Sequence, residues 1–174
     1  MIGMTHVYYG EGQGKTSAAM GLAMRALGNG KRVFVAQFFK GNESGEIRFL
    51  QQTAGVTIIH PQPGMKFTWE MDEDETAQMQ TEHDALFSAI QEAASSGDYD
   101  LLILDEVLTA CIYDHLRYDL LLQFIQEKPD SLELVLTGHG ISKKIMDAAD
   151  YVTEMTKHKH PYDLHVMARA GVEY

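Results

Sequence analysis

Short apolar runs alternate along this chain with longer segments of helical periodicity. Runs rich in branched and aromatic residues predict strands at residues 5–9, 32–38, 56–60, 100–104, 132–136 and 151–155. Apolar residues spaced three or four apart predict helices at residues 15–27, 46–53, about 73–95, about 117–126 and 142–149. This alternation predicts an α/β fold in one domain, residues 1–174, with a mostly parallel sheet and helices on both faces. Ligands of such sheets bind beyond the carboxyl ends of the strands.

Composition narrows the class of protein. Apolar residues make up 45% of the 174 residues and charged residues 22%, as in soluble globular proteins, and no apolar run approaches the roughly 20 residues of a membrane span. The formal net charge of −11 argues against a general nucleic-acid binder, because those proteins present basic surfaces. The first residues lack the regions of a signal peptide, and the single cysteine, Cys111, excludes an internal disulfide. We therefore expect a cytoplasmic protein.

A glycine-rich segment joins the first predicted strand to the first predicted helix. Its residues are Gly10, Glu11, Gly12, Gln13, Gly14, Lys15, Thr16 and Ser17. Such a turn directs backbone N–H groups toward an anion at the helix N-terminus, while Lys15 and Thr16 can reach phosphate oxygens and Mg²⁺. The common pattern GxxxxGK[ST] needs glycine where this chain has Tyr9, so a flexible connection with a chance lysine is the alternative. The three alternate glycines favour a site for a nucleoside triphosphate.

Two acidic residues, Asp105 and Glu106, end the apolar run that begins at Leu101. In phosphate-loop proteins an acid at this place holds magnesium, directly or through water, opposite the loop hydroxyl. The alternative is a strand-end acid that only caps the next turn. Because Lys15 and Thr16 are present as well, the metal-binding interpretation is favoured.

Several other residues have a functional and a structural interpretation. Lys40 either adds a second positive charge at a triphosphate or is a solvated loop lysine, and sequence position does not decide where Arg25 points. Phe67 and Trp69 either line a pocket for a flat ligand or pack on the core, which is the prediction from the residues alone. The turn at His139 either touches phosphate or is only a turn.

Three further features are predicted to be structural. They are the acidic run at residues 70–75 as a solvated helix start, residues 158–160 (His-Lys-His) as a surface turn rather than a metal site, and Cys111 as a small apolar helix residue.

Together these segments resemble one family, the ATP:corrinoid adenosyltransferases of cobalamin biosynthesis. The phosphate loop at residues 10–16 is similar to that family's own GxGxGKT variant, in which the missing first glycine is a family trait. The other matching segments, in chain order, are residues 25–26, 28–31, 37–41, 45–46, 67–70, 104–106, 137–140, 149–150 with 154, 159–160 and 171–174. The resemblance covers nearly the whole chain and implies a P-loop (RecA-like) domain.

The resemblance implies transfer of the 5′-deoxyadenosyl group of ATP to the Co(I) centre of a corrinoid, with triphosphate as leaving group, in adenosylcobalamin biosynthesis or salvage. Cobalt is the nucleophile, so the chemistry needs positioning and charge stabilisation more than a protein base. Residues 10–17 and Lys40 are implied to bind ATP, with Lys15 balancing charge on the leaving group. Thr16 and Glu106 are implied to hold Mg²⁺, with Asp105 in support.

For Phe67 and Trp69 the resemblance reverses the prediction from the residues alone. The matching aromatic residues of the family crowd the lower face of the corrin, so that cobalt loses an axial ligand and Co(II) becomes easier to reduce. Phe67 and Trp69 are therefore implied to bind the corrinoid and to take part in catalysis. The family also implies a homodimer that receives electrons from a reduced flavoprotein.

Two departures from the family pattern and three rival functions remain to be tested. Family members often carry a further N-terminal segment over the active site, whereas this chain starts just before its first strand; if that segment is absent, corrinoid binding or dimer contacts are expected to differ. His139 stands where the family commonly has arginine, and a neutral imidazole is a weaker, pH-dependent phosphate contact. The rivals are a P-loop ATPase, a small kinase and a non-catalytic corrinoid carrier.

Overall fold

The computed structural model describes residues 2–39, 44–61 and 73–173, and their strands and helices alternate as the sequence predicts. The strands are β1 (Thr5–Tyr9), β2 (Val33–Gln37), β3 (Val56–Ile59), β4 (Leu101–Asp105), β5 (Glu133–Gly138) and β6 (Tyr151–Glu154). The helices are α1 (Lys15–Gly28), α2 (Gly45–Leu50), α3 (Glu73–Ser96), α4 (Val107–Ile112), α5 (Tyr118–Glu127) and α6 (Lys143–Ala148), and a short 3₁₀ helix follows at Pro161–Leu164.

The described strands form one six-stranded sheet in the order β3-β2-β4-β5-β1-β6. Every pairing between them is parallel, which confirms the predicted fold class. β5 lies between β1 and β4, so the strand before the glycine-rich segment and the strand before Glu106 are separated by one strand. Tyr9 pairs with Gly138 and Gln37 pairs with Asp105, so the carboxyl ends of these four strands meet at one edge.

Helices cover both faces of the sheet. Because side chains alternate along each strand, successive residues of a strand pack on opposite faces. On one face, Leu101 and Ile103 of β4 belong to a core cluster with Met20 of α1 and Ile47 of α2. On the other face, the neighbouring residues of β4 belong to a cluster with residues of α3, α4, α5 and α6. This packing is why β4 reads as an uninterrupted apolar run, and it fixes the position of the acidic residues that follow.

The structure adds one helix and corrects two boundaries. Helix α4 was not predicted; it has six residues and follows Glu106, whose φ is +63°. β5 continues through Gly138, because the pairing with β1 extends to Tyr9, so Thr137 and Gly138 lie in the strand rather than after it. Helix α2 ends at Leu50, three residues before the predicted end, ahead of Gly55 with φ +86°. The remaining ends agree within two residues.

Two structural predictions are confirmed. Cys111 is buried in α4, and burial raises the pKa of its thiol to about 12, so it packs as an apolar residue. His158 and Lys159 are exposed, and His160 accepts a hydrogen bond from the backbone N–H of Tyr162 at the start of the 3₁₀ helix.

Helix α3 begins at Glu73, within the acidic run. No helix in the described ranges combines the length and apolar character of a membrane span.

Two buried histidines lie beside the carboxyl end of β2. His83 is fully buried, and its Nε2 lies 2.8 Å from the carbonyl oxygen of Phe38, which requires the proton on Nε2. Its ring lies 5.4 Å from that of His115, centroid to centroid. Burial lowers the pKa of both imidazoles, and the proximity of His83 lowers that of His115 further. Both rings are therefore neutral at pH 7.

This pair predicts a pH-dependent stability. The unfolded chain binds protons on both imidazoles below about pH 6.5, whereas the folded chain binds them only at lower pH. The free energy of unfolding should therefore be constant near pH 7.5 and fall as the pH drops below about 6.5, by at most about 1.4 kcal/mol per pH unit for each imidazole. When urea unfolding is measured at several pH values, the free energy of unfolding of His83→Gln should change less per pH unit than that of the wild type. His158→Gln, at an exposed position, is the control, and equal slopes in all three proteins would contradict the prediction.

Candidate functional site

The glycine-rich segment forms a loop held between two strand ends. The backbone N–H of Gly10 donates to the carbonyl oxygens of Gly138 and His139 at 3.2 and 3.1 Å, which ties the loop to the end of β5. The N–H of Gly12 donates to the carbonyl of Met155 at 2.6 Å, and the N–H of Met155 donates to that of Tyr9 at 2.7 Å. The loop is thus fixed on both sides before it reaches α1.

Glycine is required here by close backbone approach as well as by conformation. A Cβ atom at Gly10 or at Gly12 would lie 2.6 Å from the carbonyl oxygen of Met155. Gly10 and Gly14 also have φ near +110°, where L-residues are strained. Tyr9, in contrast, is the last residue of β1, and its hydroxyl lies 3.4 Å from Glu154. Position 9 is extended strand in this loop, so the absent glycine is not a defect.

Lys15 is the first residue of α1 and is only 8% exposed. Its Nζ donates to the carbonyl oxygens of Gly10 and Gly12 at 2.7 and 3.0 Å, so the ammonium group is bound by the backbone of the loop. The loop carbonyls therefore hold the ammonium group at the helix N-terminus, where the helix dipole also favours an anion.

Asp105 is a fully buried carboxylate at the end of β4. Its Oδ1 accepts hydrogen bonds from the hydroxyls of Thr16 and Thr137, at 2.9 and 2.8 Å. Its Oδ2 accepts from Nε2 of Gln37 at 3.1 Å. The carboxylate thus joins the start of α1 to the ends of β2, β4 and β5, and these donors stabilise a charge that burial would otherwise disfavour.

Glu106 follows in the left-handed region, with φ +63°, which is uncommon for a residue with a Cβ. Its N–H donates to the Thr137 hydroxyl at 2.8 Å, and its carboxylate accepts from the hydroxyl of Thr109. Glu106 lines the same cavity as Thr16. Strained backbone of this kind concentrates at functional sites.

A cavity of about 430 Å³ opens beside the loop. It is lined by Gln13, Gly14, Lys15, Thr16, Ser17, Gly45, Glu46, Glu106, Gly171, Val172 and Glu173. The structure thus brings together the predicted loop residues 13–17 and Glu106, and it places Asp105 directly behind Thr16. The candidate-site residues chosen from the sequence omit Glu46 and Glu173, although both lie in segments that match the family pattern.

His139 contacts the loop instead of lining this cavity. Its Nδ1 lies 3.4 Å from a carboxylate oxygen of Glu11, and its backbone N–H donates to the Thr109 hydroxyl at 3.1 Å. The predicted residues Lys40, Phe67 and Trp69 lie outside the described residues, as do Glu70 and Tyr174.

Fold and loop together define a P-loop nucleotide-binding protein. Two solved structures share the fold of the chain. One is Thermomonospora curvata EccC (ATPases 2 and 3) in complex with a signal sequence peptide, with a TM-score of 0.51 and 16% identity over 91% of this chain and 32% of that chain. The other is the cytoplasmic domain of the Type VII secretion ATPase EccC of the same organism, with a TM-score of 0.50 and 20% identity over 87% of this chain and 20% of that chain.

Sequence comparison identifies the family. The model of the ATP:corrinoid adenosyltransferase BtuR/CobO/CobP family matches residues 1–174. The corrinoid adenosyltransferases of Escherichia coli (strain K12) and Pseudomonas aeruginosa are 33% and 35% identical to this chain, over 99% of it and over 86% and 84% of their own lengths. Corrinoid adenosyltransferase CobA of Salmonella typhimurium is 34% identical over 99% of this chain and 86% of its own length.

The chain belongs to the ATP:corrinoid adenosyltransferase family. Its activity is the ATP-dependent adenosylation of a corrinoid, with ATP and the corrinoid as substrates, and the ATPase, kinase and carrier alternatives are not favoured.

The close approach at Met155 predicts opposite effects for two glycine substitutions. Gly12→Ala would place a Cβ 2.6 Å from a backbone carbonyl oxygen, so we expect the free energy of unfolding to fall by about 1–3 kcal/mol and ATP binding to weaken. Gly21→Ala, in α1 with no atom within 4 Å of the added Cβ, should raise the free energy of unfolding by about 0.5–1 kcal/mol. Urea unfolding and ATP titration measure both, and the same sign for the two variants would contradict the steric argument.

Proposed function

We propose that the cavity beside the loop binds the triphosphate of ATP while its 5′-deoxyadenosyl group passes to Co(I) of a corrinoid. The observation that carries this proposal is that Lys15, Thr16 and Glu106 share one cavity at the start of α1. The cobalt electron pair forms the bond to C5′, the C5′–O bond breaks, and triphosphate leaves with the electron pair of that C–O bond. Residues 10–17 then bind ATP, Lys15 balances the growing charge of the leaving group, and Lys40 adds a second positive charge.

Mg²⁺ is the metal that the residues of the cavity fit. Thr16 donates its hydroxyl proton to Asp105, an arrangement that directs the oxygen lone pairs toward a cation. Glu106 supplies a carboxylate to the same cavity. In the described ranges no cluster of three or more His, Cys, Asp or Glu side chains is arranged to hold a metal. In this proposal phosphate oxygens of ATP complete the ligand set, as is usual for Mg²⁺. When bound, the ion neutralises charge on the triphosphate.

The remaining roles are also part of this proposal. Phe67 and Trp69 bind the corrinoid and favour its reduction by removing the axial ligand of cobalt, and a reduced flavoprotein supplies the electrons. The chain acts as one domain, and exposed apolar residues such as Tyr151, Tyr162 and Leu164 favour a homodimer. A free, buried cysteine is compatible with the reducing cytoplasm.

An anaerobic assay tests the reaction. With ATP, Mg²⁺ and chemically reduced Co(I) cobalamin, we expect an adenosyl–cobalt product whose absorbance spectrum changes on exposure to light, together with triphosphate. Lys15→Ala should lower the rate by about 100-fold or more, because a cation at the leaving group is lost. Lys143→Ala removes an exposed lysine that pairs with Asp147 and should leave the rate unchanged.

Release of orthophosphate without an adenosyl–cobalt product would overturn the proposal and favour an ATPase.

A comparison of two reactions tests the role of Trp69. Trp69→Ala should impair the reaction from Co(II) with a reductase more than the reaction from preformed Co(I). Equal losses in the two reactions would contradict its part in removing the axial ligand.

The two acidic residues should separate metal binding from stability. Glu106→Gln should raise the Mg²⁺ concentration for half-maximal rate by about tenfold and leave the free energy of unfolding nearly unchanged, since the amide oxygen can still accept from Thr109. Asp105→Asn removes the charge and replaces one accepting oxygen with an N–H₂ group, which meets either the donating hydroxyls or the Gln37 amide, so it should also lower the free energy of unfolding by about 1–3 kcal/mol. Equal stability losses, or an unchanged Mg²⁺ requirement in Glu106→Gln, would contradict these roles.

A further inference from the structure

The C-terminal segment forms one wall of the cavity beside the loop. Gly171, Val172 and Glu173 line it together with the loop residues and with Glu46 and Glu106. The segment folds back on itself through a turn at Gly171, whose φ is +77°. The backbone N–H groups of Val172 and Glu173 both donate to the carbonyl oxygen of Arg169, at 3.2 and 3.0 Å. The turn thus places Arg169 beside Glu173, which lines the cavity.

The charges around the cavity do not match a triphosphate. Among the described lining residues Lys15 is the one cation, whereas Glu46, Glu106 and Glu173 are carboxylates. Lys15 also has loop carbonyls as its partners in this structure. A departing triphosphate gains negative charge, so a further cation beside the cavity would stabilise it.

Arg169 is such a cation, held by a carboxylate of the cavity wall. Its Nη2 donates to Oε1 of Glu173 at 2.8 Å, and its Nε donates to Oε2 at 3.1 Å, so the ion pair is bidentate. The side-chain contact with Arg169, followed by the hydrogen bond from the Arg169 backbone N–H, lowers the pKa of Glu173 to about 2. Both groups are therefore charged at neutral pH. The same guanidinium geometry that fits a carboxylate also fits two phosphate oxygens.

Glu173 would keep a partner if the guanidinium left it. The backbone N–H of Arg169 donates to Oε2 of Glu173 at 2.8 Å, independently of the Arg169 side chain. The Arg169 side chain is 59% exposed, so nothing encloses it in its present position. The turn can keep its backbone hydrogen bonds while the guanidinium rotates to another anion.

We propose that Arg169 binds the triphosphate and that Glu173 occupies its guanidinium group until the triphosphate arrives. Phosphate oxygens replace the carboxylate of Glu173, and Arg169 thereby adds a further positive charge at the leaving group, beside those of Lys15 and Lys40. This inference rests on the proposed binding of the triphosphate in the cavity. Glu173 is a competitor for Arg169, so the two residues oppose each other in binding although they form one ion pair.

Opposite effects of the two partners test this proposal. Titration calorimetry with inorganic tripolyphosphate and Mg²⁺ should show about tenfold weaker binding to Arg169→Gln, because a charge-assisted contact is lost. Glu173→Gln should bind tripolyphosphate several-fold more tightly, because the competing charge is removed. Both variants break the same ion pair, so a purely structural role would shift their affinities in the same direction. Arg117→Gln, which breaks the exposed pair with Asp119, should bind like the wild type.

The same titrations separate this inference from the assignment of the cavity. If the wild type binds tripolyphosphate and Lys15→Ala does not, the cavity holds the triphosphate. An unchanged affinity in Arg169→Gln, or a weaker one in Glu173→Gln, would then overturn the role of Arg169 alone. If the wild type binds no tripolyphosphate, or Lys15→Ala binds it as well as the wild type, both proposals fail.

Discussion

The buried carboxylate of Asp105 is the group on which the candidate site depends. A charged group without access to water is stable in a protein only when donors surround it. Thr16, Gln37 and Thr137 supply those donors from the start of α1, the end of β2 and the end of β5. Because one carboxylate accepts from all three, the loop hydroxyl is positioned relative to the sheet and not only relative to its own helix. The Thr137 hydroxyl extends the network by accepting from the N–H of Glu106.

The loop itself depends on a second constraint, the approach of backbone to backbone at Met155. The parallel pairing of β1 with β6 brings the carbonyl of Met155 to 2.6 Å from the Gly12 nitrogen. Any side chain at Gly10 or Gly12 would occupy that contact. The glycine spacing of this loop therefore follows from the strand beside it. This also explains why a glycine at position 9, which lies within β1, has no structural purpose here.

The sequence predicts much of this architecture because the signals are local. The apolar run of β4 and the glycines before Lys15 report burial and turn geometry within a few residues. Helix α4 was missed because its six residues are fewer than the roughly 11 over which a helical period is recognised in a sequence. The contacts of Thr137 and the burial of His83 were missed because they arise from strand register and packing between elements distant in the chain. The spacing of residue types along a sequence does not indicate such contacts.

The charged side chains that the fold places around the cavity bear on the chemistry proposed for it. A nucleophilic cobalt needs no protein base, so the described carboxylates Glu46, Glu106 and Glu173 have no proton to remove from the attacking group. Against a bare triphosphate they would be repulsive. A divalent ion bound to the nucleotide would reverse the sign of this interaction, which is why the proposed site pairs ATP with Mg²⁺. If Mg²⁺ accompanies ATP as proposed, the same ion would reduce the repulsion between the acidic residues and the triphosphate both when ATP binds and until the product leaves.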